Sequence, residues 1–236
     1  TGYLAPTSGR VSVWGCDIET DTLAAQRLMG YLPEGAPCYD EMTPRSYLGF
    51  IAEIRGFRGA EKRTRVQDVV DRMSLTRVLD QRIETLSKGF RRRVGLAQAI
   101  IHNPKLLILD EPTDGLDPNQ KHQVREMIRG LSRDKIVIIS THILEEVTAV
   151  CTRAVIISSG KIVSDCKPAE LEARSRYHGA VTVRIHGVDT AGSLREKMLA
   201  IGQVGTVEVS ADGLELTAFR QHAADDILQP LATLAQ

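Results

Sequence analysis

The spacing of apolar residues predicts that helices and buried strands alternate along most of the chain. Two apolar runs, LLIL at 106–109 and IVII at 136–139, show no polar-apolar alternation, as expected of parallel strands buried on both faces. A helical pattern precedes each run, over 88–102 and from Val124 to Leu131. This repetition predicts an open α/β sheet, in which ligands bind at the carboxyl ends of the strands.

Two regions depart from this alternation. Residues 43 to about 80 carry helical periodicity, so we expect a helical subdomain over about 43–102. Towards the end of the chain the pattern changes to β-α-β-β-α, which resembles part of a ferredoxin-like unit. We therefore expect an α/β domain at 1–177 and a small α+β domain at 178–236.

Composition excludes some classes of partner and compartment. The chain has 30 basic and 30 acidic residues and only 4% aromatic residues, which argues against binding to nucleic acid. The four cysteines form no CxxC pair, so we expect reduced thiols in a cytosolic protein rather than a zinc site or a disulfide framework. No apolar run approaches the ~20 residues that span a bilayer.

The segment LLILDEPTDGLDP carries the richest chemistry. Asp110 ends the first apolar run, where a carboxylate can hold Mg²⁺ beside phosphate groups. Glu111 follows and can orient and deprotonate a water molecule for attack on phosphorus. The alternative is a buried strand that ends in solvated acids.

Two further segments are candidates for the same site. Ser87 can cap the helix that follows it, and Gly89 allows close approach to a helix N-terminus, where anions bind readily. His142 lies just beyond the second apolar run, at the sheet edge expected to carry Asp110 and Glu111. The alternatives are an ordinary capped helix and a structural histidine.

The segments LSKGF, LLILDEP, TDGLDP and STH, in this order, resemble the ATP-binding subunit of ABC transporters over residues 1–175. The KG within LSKGF, the phrase YLPEGAPCYDEMTPRSYL and the small last domain are similar to the ABC-2-type exporter subfamily, which includes multidrug and gliding-motility-associated members. The resemblance implies a P-loop NTPase core with a mainly parallel sheet, and the cofactors ATP and Mg²⁺.

The resemblance also implies a head-to-tail dimer, in which two ATPase subunits enclose two ATP molecules. It assigns nucleotide binding to the signature residues Ser87, Lys88 and Gly89, which reach the partner's ATP, and to Asp117 in the loop that crosses the interface. Lys88 and Phe90 depart from the usual signature, which has Gly and Gln at these positions.

Within the subunit, the resemblance assigns Asp110 to Mg²⁺, Glu111 to the role of catalytic base and His142 to contact with the γ-phosphate. Glu34 in GYLPE takes the place of the usual Q-loop glutamine. A carboxylate there can still bind Mg²⁺, but it changes the charge of the site.

One family motif is absent, because no GxxxxGK[ST] loop occurs in these residues. This Walker A loop cradles the β- and γ-phosphates. We therefore expect the sequence to be the C-terminal portion of a longer product, cut before TGYLAPTSG, whose first five residues we interpret as the last turn of a helix. The chain alone should lack the Walker A strand and loop and be inactive.

The expected function is that of an ATPase subunit at the inner face of the cell membrane, where it powers a separate permease. One alternative is a soluble ABC ATPase that is not tied to transport. Another is a non-hydrolytic subunit that only donates its signature motif to a partner.

Overall fold

The computed structural model describes residues 1–36, 38–175, 177–185, 191–222 and 225–234. Packing divides the chain into two compact units, Thr1–Cys151 and Thr152–Gln236. The strands and helices of the first unit are, in chain order, β1 (Ser12–Val13), β2 (Cys16–Asp17), α1 (Thr22–Arg27), β3 (Met29–Leu32), α2 (Pro44–Ile54), α3 (Gly59–Arg72), α4 (Lys88–Ile100), β4 (Leu106–Asp110), α5 (Pro118–Leu131), β5 (Ile136–Ser140) and α6 (Leu144–Val150).

A parallel sheet of order β3-β4-β5 lies at the centre of the first unit. Leu107 and Leu109 of β4 are fully buried, as the apolar run predicts. The prediction that β5 is buried on both faces is wrong. Ile136 is 56% exposed and Ile138 is 51% exposed, because β5 forms the edge of the described sheet and one of its faces is uncovered.

Helices α2, α3 and α4 form the expected helical region. Thr43 caps α2 by accepting a hydrogen bond from the Ser46 backbone N–H at 3.2 Å, and Pro44 occupies the first turn. Apolar side chains from these three helices pack with those of the sheet into one core, which excludes water and stabilises the arrangement. Its fully buried members include Leu32, Leu48, Leu75, Ile83, Leu96, Leu107 and Leu109.

The interpretation of TGYLA as the last turn of a helix is also wrong. Residues Thr1 to Ala5 are exposed and contain only bends. A helical turn of this length is not stable by itself, because nucleation fixes several dihedral angles for a single hydrogen bond. The RVSVW pattern that follows yields only the two-residue strand β1, which pairs with β2 in a short antiparallel hairpin.

The second unit begins with an antiparallel pair of strands. A three-stranded antiparallel sheet follows, in which the strand Glu215–Arg220 lies between Val181–Arg184 and Val204–Val209. The predicted domain boundary at residue 177 stays a prediction. Packing places the antiparallel pair of strands and the helix that follows this pair in the second unit. Its elements are β6 (Ala154–Ser158), β7 (Lys161–Cys166), α7 (Pro168–Ala173), β8 (Val181–Arg184), α8 (Ala191–Leu199), β9 (Val204–Val209), β10 (Glu215–Arg220) and α9 (Leu228–Leu234). In neither unit does the described chain hold a helix long and apolar enough to cross a membrane.

Candidate active site

The carboxyl ends of β4 and β5 lie side by side, since the two strands are parallel and in register. Asp110 ends β4 and Ser140 ends β5, and the two residues are paired across the sheet. The Ser140 hydroxyl donates a hydrogen bond to Asp110 Oδ1. The sheet therefore fixes the position of the Asp110 carboxylate.

Glu111 has an unusual backbone at the point where the chain leaves the sheet. Its φ of +43° lies in the left-handed region, which costs a non-glycine residue of order 1 kcal/mol. The Glu111 N–H donates to the Ser140 carbonyl oxygen at 3.1 Å, which holds this turn against β5. Strain of this kind is common at functional sites.

The side chains of Glu111 and His142 meet at this edge. His142 Nδ1 lies 2.8 Å from Glu111 Oε1, and the Glu111 side chain is only 19% exposed. The hydrogen bond to Glu111 raises the pKa of His142, and the nearby Asp114 and Glu146 carboxylates act in the same direction. The expectation that these two residues share one edge of the sheet is confirmed.

The Arg92 side chain of α4 lies close to the same edge of the sheet. It is 5% exposed, and its Nη2 donates to the Asp114 carbonyl oxygen at 3.3 Å. Burial lowers the pKa of Arg92, whereas the carboxylates of Asp114, Glu34 and Glu111 favour its charged form. Glu34 follows β3, and Arg92 is a positively charged neighbour of both Glu34 and Glu111.

The signature residues lie at the N-terminus of α4. The Ser87 Oγ accepts a hydrogen bond from the Phe90 N–H at 3.4 Å, so Ser87 is the predicted cap. Ser87 and Lys88 are exposed, whereas Gly89 is buried. A Cβ at Gly89 would lie 2.7 Å from Gln120 Oε1, so this glycine allows a close approach to α5.

Asp117 has a structural role in this subunit. Its Oδ1 accepts a hydrogen bond from the Gln120 N–H at 2.9 Å and caps α5. Within the described residues, no hydrogen bond joins Ser87 or Asp117 to Glu111 or His142.

Sequence reasoning missed Ser140 and Arg92 as members of the Glu111 edge. Ser140 could have been found from register alone, since it ends β5 as Asp110 ends β4. Arg92 stands in a run of three arginines, a pattern that favours solvated or ion-paired side chains. Its burial depends on how α4 packs, which the run does not reveal.

The carboxylates at this sheet edge suit a metal ion that takes its other ligands from phosphate groups and water. Among the described residues there is no group of three or more His, Cys, Asp or Glu side chains able to hold a metal ion alone. Mg²⁺ in nucleotide sites usually takes one or two carboxylates and completes its shell with phosphate oxygens and water. Asp110 fits that requirement, because it offers a carboxylate at the sheet edge beside Glu111.

Comparisons with known proteins agree with this geometry. The family model described as ABC transporter matches residues 1–114. Nod factor export ATP-binding protein I of Burkholderia thailandensis is 31% identical over 214 residues, which cover 90% of this chain and 69% of that protein. The ABC transporter ATP-binding protein YxlF of Bacillus subtilis is 35% identical over 161 residues, which cover 68% of this chain and 53% of that protein.

Among solved structures, cbiO1 of Clostridium perfringens, part of the ABC transporter complex cbiONQ, matches with a TM-score of 0.67 and 25% identity over 73% of this chain and 71% of that one. The fold is that of the ATP-binding domain of ABC transporters, which is of the P-loop NTPase class. The chain belongs to the family of ABC transporter ATP-binding proteins. It spans 21% to 53% of the length of several curated relatives that it matches.

Proposed function

We propose that this chain is part of the ATP-hydrolysing subunit of an ABC-2-type exporter and couples hydrolysis to transport through a separate permease. The observation that carries the proposal is the contact of 2.8 Å between Glu111 and His142 at the carboxyl edge of the parallel sheet. A carboxylate and an imidazole in contact at this edge suit the activation of water beside a phosphate group.

In this proposal Glu111 accepts the proton of the attacking water. A base that is only 19% exposed keeps its orientation better than a solvated one, and the Ser140 contacts fix its backbone. His142 donates to the Glu111 carboxylate through Nδ1, and in the imidazolium form, which the raised pKa of His142 favours, its Nε2–H can also donate to the γ-phosphate. Asp110 would hold Mg²⁺, which neutralises charge on the phosphates when it is bound.

The second half of each site comes from a partner subunit. Ser87, Lys88 and Gly89 lie at a helix N-terminus, where free N–H groups and the positive end of the helix dipole attract anions. Since the segment LSKGF resembles the signature motif of ABC ATPases, we propose that these residues serve the partner's ATP in a head-to-tail dimer. Asp117 lies in the loop that would cross the interface.

Exposed aromatic residues support docking to a permease. The Tyr39 ring is 59% exposed and lies 5.8 Å from the ring of Phe50, which is 38% exposed. Exposed apolar side chains in contact with each other are typical of interaction surfaces. We propose that the region from Asp40 to Phe57 faces a cytoplasmic segment of the permease, which would place the subunit at the inner face of the membrane. The export role follows the name of the Nod factor export relative.

The 236 residues contain no GxxxxGK[ST] loop, and we propose that they do not hydrolyse ATP alone. The alternatives remain a soluble ABC ATPase without a permease and a non-hydrolytic subunit that donates Ser87 and Gly89 to a partner.

The test is ATP hydrolysis by a polypeptide that joins a Walker A segment to this chain, with and without membranes that contain an ABC-2-type permease. We expect His142→Ala to lower kcat at least about tenfold while ATP binding persists, since the loss falls on the transition state. His178→Ala, at an exposed histidine in the second unit, is the control. Hydrolysis that is equal in both variants would contradict the site, and hydrolysis that never responds to a permease would favour the soluble alternative.

A further inference from the structure

Glu146 is a buried carboxylate that the proposed mechanism does not use. It lies in α6, four residues after His142, and is 2% exposed. A charged group is rarely so buried unless it is paired and hydrogen-bonded, because losing its hydration costs several kcal/mol. Its partners therefore indicate what it does.

The two oxygens of Glu146 join two different segments of the active-site edge. Thr113, two residues after Glu111, donates its hydroxyl to Glu146 Oε1. Thr141, the residue before His142, donates its hydroxyl to Glu146 Oε2 at 3.0 Å. Each oxygen thus holds the segment that carries one member of the Glu111–His142 pair.

Cationic side chains of α5 lie near the buried carboxylate of Glu146. From α5, Lys121 Nζ lies 3.8 Å and Arg125 Nη2 lies 3.9 Å from Glu146 Oε1, which offsets the cost of burying the negative charge. The hydrogen bond to Glu111 is the main cause of the raised pKa of His142, and burial is the main cause of the raised pKa of Cys151. The negative charge of Glu146 contributes to both shifts. The neighbouring Glu145 points outwards, is 77% exposed and pairs with Arg125 at 3.0 Å.

We propose that Glu146 is a positioning residue of the hydrolytic site, which holds the Glu111 segment and the His142 segment in contact through its two hydroxyl partners. The inference takes the roles of Glu111 and His142 from the proposed function. The hydrogen bonds of Glu146 to Thr113 and Thr141 do not depend on that function. Hydrolysis is sensitive to such positioning, because a displacement of about 1 Å can cost about a hundredfold in rate. A buried charged group that is hydrogen-bonded to two segments can also specify one arrangement of those segments.

The test is the titration of His142 followed by NMR of the histidine-labelled chain, with its signal assigned by His142→Gln. No nucleotide is needed, so a failure here is distinguishable from a failure to hydrolyse ATP. We expect Thr113→Val, which keeps every charge and removes one hydroxyl tie, to lower the pKa of His142 by about 0.5 or more, because the bond to Glu111 loosens. Glu146→Ala should lower it further.

Two other variants separate geometry from charge. Glu146→Gln loses the same charge as Glu146→Ala but keeps a carbonyl oxygen for one hydroxyl, so it should restore part of the difference. Glu145→Gln removes an adjacent exposed carboxylate and should leave the titration unchanged. The proposal is overturned if Thr113→Val leaves the titration of His142 as in the wild type, or if Glu146→Gln and Glu146→Ala lower it equally. Should Glu146→Ala not fold, Thr113→Val alone decides.

Discussion

Gly30 of β3 allows the signature helix α4 to lie directly on the sheet. A methyl group added there would lie 2.1 Å from the Ala99 carbonyl oxygen and 3.0 Å from Leu107 Cδ1. Non-bonded carbon atoms pack best at a separation of about 3.5–4.0 Å. Gly30→Ala therefore requires β3 and α4 to move apart by more than about 1 Å. The nearest atom belongs to the backbone of a helix, which cannot rotate away.

The expected cost follows from this clash. Overpacking a close-packed core costs about 1–3 kcal/mol, and we expect Gly30→Ala to lie near the upper limit because backbone must move. With a urea m-value of about 2 kcal/mol per molar, a loss of about 3 kcal/mol lowers the unfolding midpoint by about 1.5 M. Fluorescence of Trp14, the only tryptophan of the sequence, reports on the first unit specifically.

Gly130→Ala is the matched control, since Gly130 lies inside α5 and, apart from its own helix backbone and chain neighbours, no atom of the described residues lies within 4 Å of the place that its added methyl group would take. Replacing a glycine by alanine inside an open helix stabilises it by about 0.5–1 kcal/mol, so this variant should unfold at higher urea. A midpoint for Gly30→Ala equal to that of the wild type, or raised as in the control, would refute the proposed packing of α4 on β3.

Two further predictions concern half-buried titratable groups. Burial, aided by the positive charge of Arg55, lowers the pKa of His102 from 6.5 to about 4. The unfolded chain therefore binds this proton more readily, and the free energy of unfolding should fall between about pH 6.5 and pH 4, by less than about 3 kcal/mol because solvent screens part of the effect at a half-buried histidine. Urea unfolding of His102→Gln should show a flatter pH dependence, and an unchanged dependence would contradict the assignment. Burial raises the pKa of Cys38 from 9.0 to about 11. Alkylation of Cys38 at pH 8, followed by peptide mass spectrometry, should be about a hundredfold slower in the native chain than in urea, whereas equal rates would show an accessible thiol.

The sequence was sufficient to predict the sheet edge that carries Glu111 and His142. Two apolar runs, each followed by a polar turn, are enough for this prediction, because parallel strands end at the same edge. The cap at Ser87 was likewise predictable, since it depends only on the residues next to it.

The remaining features depend on tertiary packing. Glu146 resembles any acidic residue near the start of a short helix, and only the structure shows that Thr113, 33 residues away, donates to it. The exposed face of β5 also has no local signal, because IVII predicts a buried strand whether or not another layer covers it. Local periodicity reports which face is apolar and not what lies against it.

We propose that Glu111 acts as the base that activates water for ATP hydrolysis. The most direct measurement compares ATP binding and steady-state hydrolysis in Glu111→Gln, with Glu126→Gln at an exposed carboxylate of α5 as the control. Both variants are made in a polypeptide that joins a Walker A segment to this chain.

Glutamine keeps the shape of Glu111 and cannot accept the proton, so hydrolysis should fall by about 10²–10⁴. ATP binding should stay near that of the unsubstituted polypeptide, because the lost interaction belongs to the transition state. The control should hydrolyse ATP normally. Unchanged turnover in Glu111→Gln would contradict the assignment of Glu111 as the catalytic base.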